Sequence, residues 1–227
     1  MQTLRLPESS YQDFLCGLKD FGTVWAPVES EPGIFRLEAL GDVDRARPDA
    51  LRTVIPFKKL LLPPSFAMMR GGFGSNGRVE LGSPKSAPCT QVLFGAHACD
   101  IHALKILDLL YLSGFVDPYY AANREKLLVV GFGCWPDERC FCDSLETSTA
   151  DDGFDLALTP LEGRYLVTVA TSQGDDVVRA NHELFEEATA DDIREYLARL
   201  RDRRDAFQLQ LDVADLPYVL EMKKDDP

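Results

Sequence analysis

The chain has 227 residues, of which 45% are apolar, and its 37 acidic residues against 24 basic ones give it a formal net charge of −13. A chain of this length can bury a sizeable core, and its negative charge argues against nucleic acid or an anionic membrane surface as a partner. It contains no run of about 18 apolar residues and does not open with a signal-peptide pattern, so we expect a cytoplasmic protein.

The N-terminal part predicts a small mixed layer of helix and strand. Apolar spacing indicates a helix over 10–19 and strands over 22–28 and 33–37. Three prolines in 56–64 argue against a regular helix and favour an extended segment with buried apolar side chains. The glycine-rich stretch 71–77 lacks the lysine of a phosphate loop and leads into a strand-like stretch, so we interpret it as a flexible turn.

The middle of the chain predicts a βαβ unit. Short apolar runs at 91–95 and 127–132 are typical of buried strands. Between them, residues 100–112 are apolar on most faces, which predicts a buried helix with Asp100 as its N-cap. Strand, helix and strand in this order predict a right-handed unit with parallel strands.

The C-terminal part predicts a hairpin and a charged helix. Alternating residues at 154–159 and 165–171 suit an antiparallel hairpin. The Thr189 hydroxyl is a good cap for a helix that runs to about Phe207, and its arginine-rich last turn is typical of a solvated surface helix. The tail from Glu221 onward is polar, like a linker.

These elements predict an α/β fold with mixed α+β elements: a βαβ-containing central sheet with flanking helices and an antiparallel hairpin. We expect residues 1–85 to form an N-terminal mixed part with the proline-rich extended segment. Residues 86–218 would form the βαβ and hairpin part with the cysteine cluster, and residues 219–227 a linker.

Four of the six cysteines fall where the βαβ unit would gather them, namely Cys99, Cys134, Cys140 and Cys142. Parallel strands end at the same edge of a sheet, where open α/β sheets bind their ligands. Cys99 follows the first strand and Cys134 follows the second. Cys140 and Cys142 can fold back in a loop, because a Cys-x-Cys pair in an extended chain directs both sulfurs to one side. Cytoplasmic thiols stay reduced, so metal ligation is favoured over disulfides.

Four thiolates select either Zn²⁺ or an iron-sulfur cluster. The spacing lacks the paired Cys-x₂₋₄-Cys knuckles of structural zinc, which favours iron-sulfur, with unconnected buried thiols as the remaining alternative. Cys99 also precedes a helix N-terminus, whose dipole stabilises a thiolate. His97 and His102 flank it; a structural role is favoured over a hydrogen bond to sulfur or ligation. Cys16 and Cys89 lie outside this arrangement.

Five motifs follow one another along the chain: PFKKLLLPP at 56–64, FGAHACDIHAL at 94–104, DPYY at 117–120, GC with CFC within 133–142, and FDLALT at 154–159. In this order they resemble the family formed by the electron-relay subunits of anaerobic sulfite reductases and the beta subunits of cytoplasmic NiFe sulfhydrogenases. The likeness covers nearly the whole chain. The family's Gly-x-Arg-Pro-Cys-Asp stands here as GAHACD at 95–100, so the arginine and proline are replaced while Cys99 and Asp100 remain.

The resemblance implies an electron-relay subunit, which passes electrons from a flavin-containing NAD(P)H-reactive subunit to a catalytic redox subunit that carries siroheme or NiFe. It also implies that a ferredoxin-like domain with two [4Fe-4S] motifs follows this region in the family. The chain ends at Pro227, before any such domain, so we expect a truncated or natural short form.

Three hypotheses follow from the sequence. The first is a non-catalytic electron-transfer subunit of an oxidoreductase complex, with one [4Fe-4S] cluster on Cys99, Cys134, Cys140 and Cys142. The second is a docking or scaffold domain whose cysteines carry structural zinc or nothing. The third, a flavin- or nicotinamide-binding enzyme, is least favoured because neither strand-helix junction has the Gly-x-Gly-x-x-Gly needed for close approach to a pyrophosphate.

Overall fold

The computed structural model describes residues 2–73, 77–82 and 89–222. Its strands are β1 (Gln2–Pro7), β2 (Thr23–Glu31), β3 (Ile34–Ala39), β4 (Arg70–Phe73), β5 (Val79–Gly82), β6 (Gln91–Ala96), β7 (Leu127–Phe132), β8 (Leu156–Leu161), β9 (Arg164–Val169) and β10 (Glu186–Glu187). Its α-helices are α1 (Tyr11–Leu18), α2 (Lys58–Leu61), α3 (Ala98–Leu112), α4 (Pro118–Glu125), α5 (Ser172–Ala180), α6 (Ala190–Asp205) and α7 (Leu216–Met222).

A mixed sheet organises the described residues. Its eight strands run in the order β10-β1-β9-β8-β7-β6-β2-β3. Strands β2, β6, β7 and β8 are parallel to one another at the centre, and antiparallel strands continue the sheet on both sides. The predicted α/β class, with flanking helices and the hairpin β8–β9, is confirmed.

The predicted βαβ unit is also confirmed, because β6 and β7 pair in parallel and α3 and α4 lie between them in the chain. Successive side chains of a strand point to opposite faces of the sheet. Val92 and Phe94 therefore join the core beneath α1 and α5. Leu93 and Val129 join the core beneath α2, α3 and α4. Burial on both faces explains why these two strands are almost entirely apolar.

Helix α3 is only partly buried, so the prediction of a buried helix is wrong. Ile101 and Leu104 face the core, whereas Ile106, Leu109 and Leu110 are 64–71% exposed. A helix that is apolar on most faces does not reveal from its sequence which face has a neighbour.

The cap of α3 also differs from the prediction. The N-cap is His97, and Asp100 is the third residue of the helix, where its carboxylate accepts a hydrogen bond of 3.2 Å from the His97 backbone N–H. Asp100 still satisfies a free backbone donor at the helix start, but from inside the first turn.

The proline-rich segment contains one helical turn, α2, so the prediction of an extended segment is wrong there. The turn begins at Lys58, just after Pro56, and ends before Pro63. Prolines are compatible with the flanks of a helix although they break its interior. The expected burial is confirmed, because Phe57 and Leu61 are 7% and 1% exposed.

The glycine-rich stretch is partly a strand rather than only a flexible turn. Residues 71–73 belong to β4, which pairs with β5 in an antiparallel hairpin. Residues 74–76 lie outside the described residues. Short polar and glycine-rich strands carry weak pattern signals, so the sequence does not predict this hairpin.

Helix α6 begins as predicted, since the Thr189 hydroxyl caps it by accepting from the backbone N–H of Asp192. It is not a purely solvated helix, because Asp192 and Arg203 are buried. Both therefore need partners inside the protein.

The predicted linker at 219–227 begins inside α7, and its residues 223–227 lie outside the described part of the chain. The domain boundary after residue 85 stays a prediction; strands from both sides of it share the large sheet. In the described residues, no helix combines the length and the apolar character that crossing a membrane requires.

Candidate metal centre

Cys99 and Cys134 lie just beyond the ends of two neighbouring parallel strands. Strand β6 ends at Ala96, and Cys99 is the second residue of α3. Strand β7 ends at Phe132, and Cys134 follows two residues later. The parallel pairing of β6 and β7 therefore delivers both cysteines to one edge of the sheet, as the topology predicted.

Cys142 meets Cys99 directly through a hydrogen bond between their side chains. This bond, followed by burial, raises the pKa of the Cys99 thiol. The same bond, together with the positive charge of Arg203, lowers the pKa of Cys142 to about 6 against the opposing effect of burial. The charge of Cys134 also acts on Cys99. Three of the predicted sulfurs therefore come together, and Cys142 is the one that carries negative charge at neutral pH.

Cys140 has other neighbours. Its sulfur lies 3.5 Å from Nη2 of Arg52. Arg52 also donates two hydrogen bonds of 2.7 Å to the two carboxylate oxygens of Asp137, and these hold the pKa of Asp137 well below its usual range. Cys140 thus lies on the same loop as Cys142 but faces an ion pair. Arg52 and Asp137 were not predicted, because they are 85 positions apart and no local pattern links them.

Arg203 is the site residue that the sequence interpretation missed. Its Nε donates to the carbonyl oxygen of Cys134 at 2.8 Å, and its Nη1 donates to that of Ser148 at 2.7 Å. Its Nη2 lies 3.3 Å from the Cys134 sulfur. The guanidinium therefore holds together the start and the end of the loop that carries the cysteines.

A signal for Arg203 does exist in the sequence. Tyr196, Leu200, Arg203 and Phe207 recur at spacings of three or four residues, which places them on one face of a helix. The other three are apolar or aromatic, so this face is the inward one, and Arg203 is 9% exposed. Reading the last turn only by its charge concealed this.

The histidines beside Cys99 contact backbone carbonyls. The two ring nitrogens of His97 lie 2.9 and 3.1 Å from the carbonyl oxygens of Phe132 and Ala50, and Nε2 of His102 lies 2.8 Å from that of Thr149. These contacts agree with a structural role for both histidines. Outside the centre, Cys16 and Cys89 are both exposed.

A cavity of about 280 Å³ opens beside the centre. Cys134 and Arg203 form part of its wall, together with Phe132, Ser148 and Tyr196. Its floor is formed by the carboxyl ends of the parallel strands, which is the general position of ligand sites in open α/β sheets.

The donor set fits a negatively charged group held by thiolates. Within the described ranges, Arg203 has no carboxylate at salt-bridge distance, although its side chain is buried. A buried cation is costly unless a negative charge compensates it, and a thiolate-bound cluster would supply that charge. No group of three or more His, Cys, Asp or Glu side chains in residues 2–73, 77–82 and 89–222 is arranged to hold a single metal ion.

Comparison with known proteins identifies a relative. The chain is 36% identical over 222 residues to a protein named sulfhydrogenase 2 subunit beta from Pyrococcus furiosus. The match covers 98% of this chain and 64% of the relative, so the chain spans less than two thirds of that protein. No family model matches the chain, and no solved structure matches it either.

Proposed function

Because the chain belongs to the sulfhydrogenase beta subunit family over the region that it spans, we propose that it is an electron-transfer subunit of an oxidoreductase complex. The proposed cofactor is one [4Fe-4S] cluster on Cys99, Cys134, Cys140 and Cys142. The observation that carries the proposal is the meeting of three cysteine sulfurs with the buried Arg203 at the ends of β6 and β7.

The side chains support such a role in complementary ways. Cys142 already has the charge of a ligand, since thiolates rather than thiols bind metals. Cys99 lies in the first turn of α3, where the helix dipole favours negative charge. Arg203 fixes the backbone at Cys134 and leaves its sulfur close to the other two. When bound, an iron-sulfur cluster supplies one-electron storage.

The proposed partners are those of a relay. We expect a flavin-containing NAD(P)H-reactive subunit to supply electrons and a catalytic redox subunit to consume them, in the cytoplasm, where thiols stay reduced. The protein itself is proposed to be non-catalytic. The relative's name contains the word subunit, which supports assembly with other chains.

Anaerobic reconstitution tests the proposal. The wild-type protein should bind about four iron ions and four sulfides per chain, and Cys99→Ser or Cys142→Ser should lose most of that iron. Cys16→Ser is the matched control, because Cys16 is exposed on α1 and should retain full loading. Wild-type protein without iron after reconstitution, or Cys142→Ser with unchanged iron, would contradict it.

One observation favours the second hypothesis, a docking or scaffold domain with structural zinc or free thiols. The sulfur of Cys140 faces Arg52 rather than the other three sulfurs, so the fourth ligand must turn to complete a cluster. Metal analysis separates the two functions: one zinc per chain or none, without visible absorbance, would favour the scaffold.

A further inference from the structure

Two arginines reach sulfur atoms of the candidate centre from distant parts of the chain. Arg203 approaches Cys134, 69 positions away, with Nη2 3.3 Å from the sulfur. Arg52 approaches Cys140, 88 positions away, with Nη2 3.5 Å from the sulfur. The two contacts are alike in geometry but differ in the charge that they bring.

Arg52 brings little net charge, because Asp137 neutralises it through two hydrogen bonds. Its side chain is also 50% exposed, so solvent screens what remains. The guanidinium of Arg52 thus orders the loop around Cys140 and scarcely changes the electrostatic potential there.

Arg203 brings a full positive charge. Its other donors go to the neutral carbonyl oxygens of Cys134 and Ser148, and its guanidinium lies 5.5 Å from the ring centre of Phe207. In the described part of the chain no carboxylate neutralises it. Charges act more strongly in a poorly solvated environment, so this cation dominates the field at the sulfurs, and its influence extends to Cys142.

The fork of Arg203 also fixes the loop. It bonds the residues on either side of the cysteine-bearing segment, Cys134 and Ser148, from one planar group. A guanidinium holds such a geometry more rigidly than an ammonium group does. Charge and position are therefore both determined by one side chain.

We propose that Arg203 is a positioning residue that raises the reduction potential of the iron-sulfur cluster at this centre. The inference rests on the proposed function. Reduction adds one electron, taken from a reduced partner or a chemical reductant, and makes the centre more negative by one charge without breaking a bond. A nearby cation and a hydrogen bond to a ligand sulfur both stabilise the reduced form, since net charge and such bonds tune these potentials.

The test is a mediated redox titration of the reconstituted protein with dithionite, followed by electron paramagnetic resonance. Arg203→Gln removes the charge and should lower the equilibrium constant for one-electron reduction at least tenfold, which is about 59 mV toward more negative potential. An unchanged potential in an Arg203→Gln protein with full iron would overturn the proposal.

The matched control is the double variant with Arg52→Gln and Asp137→Asn. It removes an arginine beside the other sulfur without changing the net charge, so its potential should stay close to that of wild type. A shift as large as that of Arg203→Gln would mean that loop order, not charge, sets the potential, and would contradict the inference.

Arg203→Lys decides the matter if the glutamine variant does not bind iron. Lysine retains the charge but not the fork, so the equilibrium constant should fall less than about threefold, below the tenfold step of about 59 mV; a tenfold fall would overturn the proposal. Iron and sulfide analysis of the wild type separates the two levels. No iron refutes the proposed function itself, whereas full iron with an unmoved potential in Arg203→Gln refutes only the role of Arg203.

Discussion

Helix α6 carries a buried charge near each end, and the two are treated differently. Asp192 in the first turn has a side chain that is 1% exposed, and Arg164 pairs with it from β9. Arg203 in the last turn is buried without a carboxylate in the described residues, and it contacts the Cys134 sulfur instead. A buried charge with a counter-ion from its own chain serves the fold. A buried charge that faces thiols is available to an anionic group at that site.

The largest expected effect lies at the paired end. Asp192→Ala removes the partner of Arg164 and the carboxylate that bonds Thr189. We expect a loss of about 3 kcal/mol in the free energy of unfolding, at the low end of its range because Arg164 keeps Glu195 as a partner. Urea denaturation measures it, with exposed Asp191→Ala as the control. Equal losses in the two variants would show that burial of the pair contributes nothing.

Acid should reveal the same pair. Burial would raise the pKa of Asp192, but hydrogen bonds from Thr189 and Arg164 together outweigh it and lower the pKa to about 2 from 3.8. The pair therefore stabilises the fold fully above about pH 4, and this contribution is lost as the pH falls through about 2. The stability difference between wild type and Asp192→Asn, measured by urea denaturation at several pH values, should shrink across that window. A difference that is constant with pH would contradict the assignment.

A smaller effect is expected at the unpaired end in the metal-free protein. Arg203→Gln loses hydrogen bonds to two carbonyl oxygens but also relieves a buried cation, so the net loss should be about 1 kcal/mol. In the cluster-loaded protein the loss should be larger, because the charge of Arg203 is then compensated. Thermal unfolding of both forms provides the comparison; an identical loss in each form would mean that Arg203 is structural only.

The smallest effect is expected at an exposed pair on the same helix. Arg194 pairs with Asp191, and both side chains are 74% exposed. Arg194→Gln should change the free energy of unfolding by only about 0.3–0.5 kcal/mol, and less at high salt. A loss above about 1 kcal/mol in urea denaturation would show that exposure does not rank these charges as proposed.

Much of the fold could be predicted because its signals are local. Strand β7, the hairpin β8–β9 and the Thr189 cap of α6 each follow from neighbouring residues, and parallel topology then brought Cys99 and Cys134 to one edge. The exposed face of α3 could not be predicted, because an apolar helix does not state whether another surface covers it. In the same way, the turn α2 formed between prolines whose positions only flank it.

The chemistry of the candidate site was less accessible to sequence reasoning. Its cysteines could be recognised by residue type, but their partners could not. Arg52 and Arg203 approach sulfurs 88 and 69 positions away, and only the folded chain brings them there. The inward helical face that includes Arg203 was a usable signal, whereas nothing near Arg52 in the sequence points to Cys140.

The central claim is that the sulfurs at the ends of β6 and β7 hold a redox-active cluster. The most direct measurement is electron paramagnetic resonance of the anaerobically reconstituted protein before and after dithionite. The account predicts an unpaired-electron signal that appears on reduction in wild type and in Cys16→Ser and is lost in Cys142→Ser. A protein that stays silent in both states while it binds zinc, or nothing, would contradict it.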